Sequence, residues 1–131
     1  MAMKPDSTIQ CPCGSGSDYG DCCERIHLNH SGATTAEELM RSRYSAYALG
    51  NVDFLVQSHH PRTRSKKLKR EVSEWIQEVE FEFLEVLETE PDSVTFLVGF
   101  QTPTGQSQIR QEHSRFLKEK GLWYYLDSDL D

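Results

Sequence analysis

Val94-Thr95-Phe96-Leu97-Val98-Gly99-Phe100-Gln101 sets a bulky apolar residue at every second position. Val94, Phe96, Val98 and Phe100 fall on one side, and Thr95, Leu97, Gly99 and Gln101 on the other. Successive strand side chains point to opposite faces, so this period of two describes a strand with one face in a core. Downstream, Pro103-Thr104-Gly105 is a turn signal, and a long strand runs from Ser107 to about Lys118. Gly121 turns the chain again, and Leu122 to Asp127 closes the set. Upstream, Phe81 to Glu88 alternates less cleanly, with Glu on the exposed positions. Strands joined by short turns pair antiparallel, so residues 81–127 form an antiparallel sheet.

Before residue 80 the period changes. Thr35 and Glu38 fit a capping box, and Ala36, Met40, Tyr44, Tyr47 and Ala48 recur at helical spacing up to Gly50. A first helix over 35–49 follows. Asn51 caps a second over 52–59, whose stripe is Val52, Leu55, Val56 and His59, and Pro61 ends it. The third, over 66–79, carries Leu68, Val72, Trp75, Ile76 and Val79 on one face. Three helices followed by an antiparallel meander give an α+β domain over 33–131, with the helices packed on one face of the sheet.

The chain has 131 residues, 37% hydrophobic and 27% charged, which suits a globular protein of about one domain. No apolar run approaches the length of a membrane span, and the opening MAMKPDSTIQ lacks an apolar signal region; a cytoplasmic location is the expectation. The net charge of −7 argues against phosphate-backbone binding as the main role. A basic run of six side chains from Arg62 to Arg70 reads as a solvated helix entrance.

Residues 1–32 are rich in Cys, Gly, Ser and Asp, and their lack of periodicity leaves them no core to bury. All four cysteines sit here, as Cys11, Cys13, Cys22 and Cys23 in a C-x-C-x8-C-C spacing. Four thiolates match a tetrahedral structural zinc site. Disulfides fit poorly: adjacent Cys22 and Cys23 cannot pair without strain, and the expected compartment is reducing. Iron in the same sulfur set stays open, as does replacement of Cys23 by His27 or His30. The Gly14-Ser15-Gly16 turn is expected to aim backbone N–H groups at the sulfurs. Because knuckle and sheet domain rest on different forces, chelation is expected to open residues 5–30 and leave the remainder folded.

CPCGSGSDYGDCC, at 11–23, resembles the SEC-C motif, the zinc knuckle at the C-terminus of the SecA translocation motor. LMRSRYSAYALGNVDFLVQSHHP and HSRFLKEKGLWYYLD resemble the YchJ family of small bacterial proteins. The resemblance implies a knuckle followed by a domain similar to the nuclear transport factor 2 cone, three helices over a curved sheet. It implies zinc as the cofactor and a protein partner for the knuckle, among secretion chaperones or ribosome-associated proteins, and brings no defined activity.

Two functions compete. In the first, the knuckle is a protein-interaction module that presents Tyr19 and Arg25. In the second, a cone pocket binds a small molecule or performs acid–base chemistry, with the zinc structural. Tyr44, His59, Glu112 and Arg115 are the pocket candidates. Strand parity lets Glu112 with Ser114, or His113 with Arg115, reach the pocket, and neither parity gives a clean apolar face. Arg41 and Arg43 are expected to pair with strand carboxylates, and Trp75, Trp123 and Tyr125 to be core aromatics. No nucleophile motif, phosphate loop or dinucleotide fingerprint occurs, so binding is favoured over catalysis.

Overall fold

The computed structural model describes residues 6–130. Residues 1–5 of the cysteine-rich segment, and Asp131 at the end of the second, lie outside the described residues. Each turn signal of the C-terminal half joins neighbours in one sheet. Its strands are β1 (Glu80–Glu90), β2 (Ser93–Gln101), β3 (Ser107–Glu119) and β4 (Leu122–Leu130), all antiparallel in the order β1-β2-β3-β4.

The alternation in β2 is real. Val94, Phe96, Val98 and Phe100 are all buried on the inner face. The weaker alternation of β1 has a structural cause: its register shifts between Phe81 and Phe83 and again between Val86 and Glu88. Each shift inserts an extra residue and resets the period of two, and such bulges also bend and twist a strand. A third shift, between Arg115 and Phe116, does the same on the β3–β4 side.

Four α-helices precede the sheet: α1 (Cys23–Leu28), α2 (Ala36–Leu49), α3 (Val52–Gln57) and α4 (Leu68–Glu78). The last three match the expected helices. The short α1, with 3-10 turns at Tyr19–Asp21 and His30–Gly32, lies in the aperiodic segment, where no pattern announced it. Thr35 caps α2 by accepting from the Glu38 N–H at 3.1 Å, while the Glu38 carboxylate reaches the Thr34 N–H rather than that of Thr35. Gly50 ends the helix in the left-handed region at φ 78°, and the Asn51 N–H closes the turn on Ala46 O at 2.7 Å. Among the described residues no helix is long and apolar enough to cross a membrane.

One helix end is shorter than expected. α3 stops at Gln57, and His59 sits beyond it, not on its apolar stripe. The next residues are drawn against β4 instead: Tyr125 N–H donates to Ser58 O, and His60 N–H to Tyr125 O, both at 2.8 Å. These two bonds replace helical ones and tie the helical layer to the edge of the sheet.

The core lies between the two layers. Leu39 and Met40 of α2, Phe54 and Leu55 of α3 and Val72 of α4 pack over Val94, Phe96 and Val98. On the opposite face of β2, the Phe83 ring lies across Gly99, where an added Cβ would stand 2.7 Å from the ring. Gly99→Ala should therefore displace Phe83 and destabilise the protein by about 1–2 kcal/mol, the usual cost of modest overpacking. Urea unfolding checks this, and in a Phe83→Ala background the same substitution should cost close to nothing.

Candidate metal centre and cavity

The four cysteines converge. Their sulfurs all lie within 4.8 Å of one another; Cys13 Sγ is 3.7 Å from Cys22 Sγ, and Cys22 Sγ is 4.0 Å from Cys23 Sγ. A tetrahedron of 2.3 Å metal–sulfur bonds has an edge of about 3.8 Å, whereas a disulfide needs about 2.05 Å. All four are free thiols, three of them buried and Cys22 half-buried. Hydrogen bonds with Cys13 and Cys23 hold Cys11 down toward thiolate, and those with Cys11 and Cys13 hold Cys23 up. A metal cation would replace those shared protons.

The chain reaches this geometry through glycine and a short pairing. Gly14 and Gly16 occupy the left-handed region at φ 80° and 90°, which side-chain-bearing residues rarely adopt. Cys11 N–H donates to Ser17 O and Tyr19 N–H to Ile9 O, closing the loop on itself. Gly14 N–H does not serve a sulfur as expected, since it donates to Cys11 O. Two hydroxyls do so instead: Ser15 Oγ lies 3.2 Å from Cys22 Sγ, and Ser45 Oγ 3.5 Å from Cys11 Sγ.

Neither nearby histidine belongs to the ligand set, which corrects the alternative left open for Cys23. His27 Nδ1 accepts from Tyr19 OH at 2.5 Å, and its Nε2 donates to Ser42 O at 2.7 Å. Burial lowers the pKa of His27 and pushes Tyr19 up to about 12, so a neutral imidazole and a protonated phenol sustain the chain of bonds. His30 Nε2 reaches across to Trp123 O on β4. Tyr19 is 3% exposed and therefore presents nothing to a partner. Arg25 is on the surface, bonded to Asp21 O and 3.9 Å from Glu38.

The knuckle sits directly on α2. Arg41 Nη1 donates to Cys13 O at 2.8 Å, Ser42 and Ser45 are fully buried beneath the knuckle, and Ile26 of α1 joins the main core. Arg41 thus pairs with Glu37 of its own helix, not with a strand.

On the other side of α2 lies a cavity of about 340 Å³ between the helices and the sheet. Three of the four pocket candidates line it: Tyr44, His59 and Glu112. Arg115 does not. Glu112 pairs with Phe96 and Ser114 with Val94, which puts both on the inner face, and Arg115 faces outward to bond Asp127 and Asp129 at 2.6 Å each. The register with β2 decides between the two parities, and that register was not in the alternation of β3 itself. Burial raises the pKa of Glu112, whose carboxyl has no hydrogen-bond or ion-pair partner among the described residues. Burial, then the charge of Arg43, pushes His59 down to about 4, and its buried Nδ1 has no hydrogen-bond partner among the described residues.

Arg43, like Arg41, departs from the expected pairing with a strand carboxylate. It is buried, and its Nη1 donates to Leu55 O at 2.9 Å and Ser58 Oγ at 2.6 Å, while its guanidinium lies 4.6 Å from the Tyr125 ring centroid. No carboxylate of the described residues pairs with it. Its position three residues after Met40 and four before Tyr47 was the available signal, since that spacing shares a helix face. Arg110 also lines the cavity, near Trp75 and Phe100 at 5.8 and 5.4 Å; Tyr125 is both cavity wall and core neighbour as expected, whereas Trp75 lines the cavity without joining the core cluster. The basic run is not one free patch, because Arg64 folds back onto His59 O.

A four-cysteine knuckle seated on a helix-covered antiparallel sheet defines a SEC-C protein with a nuclear transport factor 2-like domain. The SEC-C motif model matches residues 8–25, and the model described as "YchJ, middle NTF2-like domain" matches residues 35–128. The chain belongs to the YchJ family. It is 42% identical over 123 residues to a UPF0225 protein of Vibrio parahaemolyticus, covering 89% of this chain and 72% of the relative. It is 40% identical to one of Corynebacterium efficiens, covering 98% of both. Among solved structures it is similar to a SEC-C motif containing protein from Rhodopseudomonas palustris, at 34% identity and a TM-score of 0.81, over 91% of this chain and 96% of that one.

Two outcomes follow from these sites. One metal ion per chain should be seen by native mass spectrometry, and Cys13→Ser should abolish it; removal with a chelator should collapse residues 8–25 and, because Ser42 and Ser45 are uncovered, lower the melting temperature of the remainder too. His59 should titrate near pH 4 by NMR. Its folded pKa lies below the unfolded value of about 6.5, so the unfolded chain binds more protons between the two, and stability is lost as pH falls from about 6.5 through 4. His59→Gln should remove that part of the acid sensitivity in urea unfolding.

Proposed function

We propose that this chain is a small-molecule-binding protein whose ligand occupies the cavity beneath α2, and that zinc in the knuckle braces the helix forming the cavity wall. The observation that carries the reading is the convergence of the buried Arg43 with the half-buried His59 and Glu112, three ionisable side chains from separate elements, on one cavity rich in aromatic rings. Perturbed ionisable groups gathered in an apolar pocket are the usual mark of a ligand site. Zinc is the metal we infer, since four thiolates close its tetrahedral shell and leave no position for substrate, which suits a brace.

The protein-interaction reading is left with less. Of the two side chains proposed for it, Tyr19 is committed to His27, and only Arg25 is available at the surface. Leu28, 74% exposed at the end of α1, would accompany Arg25 in any such contact.

The zinc-loaded protein, titrated with a library of small aromatic and heteroaromatic compounds, should show amide shifts centred on Val98, Glu112 and Tyr125. Val98→Trp, which fills the cavity, should abolish them while leaving zinc content unchanged. Shifts confined to the knuckle, or none with any compound, would overturn the reading.

A further inference from the structure

The interior charge of the cavity specifies more than the presence of a ligand. Arg43 keeps its proton under ordinary conditions, because a guanidinium does not surrender it at any ordinary pH. Each of its partners is neutral: the Leu55 carbonyl, the Ser58 and Tyr47 hydroxyls and the Tyr125 ring. A charge removed from water and left without a counterion is costly, and proteins retain such charges where something supplies the opposite one. Arg110, the second guanidinium of the cavity, also has no carboxylate within pairing distance among the described residues. Glu112, the one acidic group lining the cavity, lies on β3 two residues from Arg110, and burial favours its uncharged form. The cavity is therefore a site of net positive charge inside an acidic protein.

Its walls specify the remainder. Tyr44, Tyr47 and Trp75 face the cavity from the helices, and Phe81, Phe100 and Tyr125 from the sheet. Aromatic rings on both sides favour a flat, conjugated ligand over a branched aliphatic one. At roughly 30 Å³ for each water-sized group, 340 Å³ takes about eleven such groups, the size of one or two fused rings with a short arm. One guanidinium fork matches the two oxygens of a carboxylate.

We propose that the cavity binds a small planar aromatic carboxylate, its ring between the aromatic walls and its acid group against Arg43. The proposal rests on the small-molecule reading above and adds the ligand's charge to it. The Ser114–Ser128–Tyr125 hydroxyl chain, with contacts of 2.9 and 2.8 Å, lies next to Arg43 through the Tyr125 ring; its two internal bonds use two of its three protons and leave one O–H as a further donor to the same acid group.

Three series of matched probes test it on the full-length, zinc-loaded protein by NMR titration: benzoate and indole-3-acetate, their carboxamides, and benzylamine with tryptamine. The acids should bind at least tenfold more tightly than the amides, shift the Arg43 side-chain Nε signal and perturb Glu112 to Ser114, and the amines should not bind. Arg43→Lys should weaken the acids about tenfold by losing the fork while keeping the charge. Should that variant fail to fold, Glu112→Gln serves instead and should hold or tighten acid binding at pH 7. Equal binding of acids and amides, tightest binding by the amines, or weaker acid binding in Glu112→Gln would overturn the ligand class and leave the cavity reading standing. Failure of all three series to perturb cavity signals would overturn both.

Discussion

Arg41, Ser42 and Ser45 meet the cysteine knuckle, while Met40, Arg43, Tyr44 and Tyr47 on the opposite side of the same helix line the cavity. An α-helix turns every 3.6 residues, so a single run from 40 to 47 can serve two neighbours at once. The division depends on side-chain size. Serines at 42 and 45 let the knuckle approach α2 closely, and the large residues between them fill the space above the sheet. The position of α2 follows from contacts on both sides, the cysteine knuckle on one and the apolar core on the other.

Charge is distributed in a manner the net value conceals. The chain is acidic overall, yet the cavity holds two guanidiniums and one carboxyl of raised pKa. The acidic surplus resides on the surface, in β1 glutamates and in the Asp127 and Asp129 carboxylates bonded to Arg115. Surface pairs of that kind contribute little to stability because water screens them. Buried groups are screened much less, so the small number inside the cavity governs what can bind there.

The curvature of the sheet makes the cavity possible. Bulges in β1 and at Leu126 of β4 bend strands away from a flat sheet, and the Ser58–Tyr125 and His60–Tyr125 bonds hold the end of α3 to β4. Helices laid over a curved sheet touch it along part of their length and leave space elsewhere. Here that space lies beneath Arg43, with Phe81 and Phe100 toward one end and Tyr125 toward the other.

Elements with strong local signals were legible in the amino-acid order. The clean alternation of 94–101, the capped and periodic run 35–49 and the clustering of four cysteines each depend on neighbours along the chain, so the order of residues alone determined the α+β class and the four-thiol set. What pairing across the chain controls was decided by the tertiary structure. The β2–β3 register turned Glu112 inward and Arg115 outward, packing of the knuckle on α2 buried Tyr19, and attraction to β4 drew His59 out of its helix. Arg43 shows the limit most clearly: its helix face could be read from spacing, but its lack of a counterion is a property of everything folded around it. Local order records propensity and period, whereas desolvation and pairing arise only when distant segments meet.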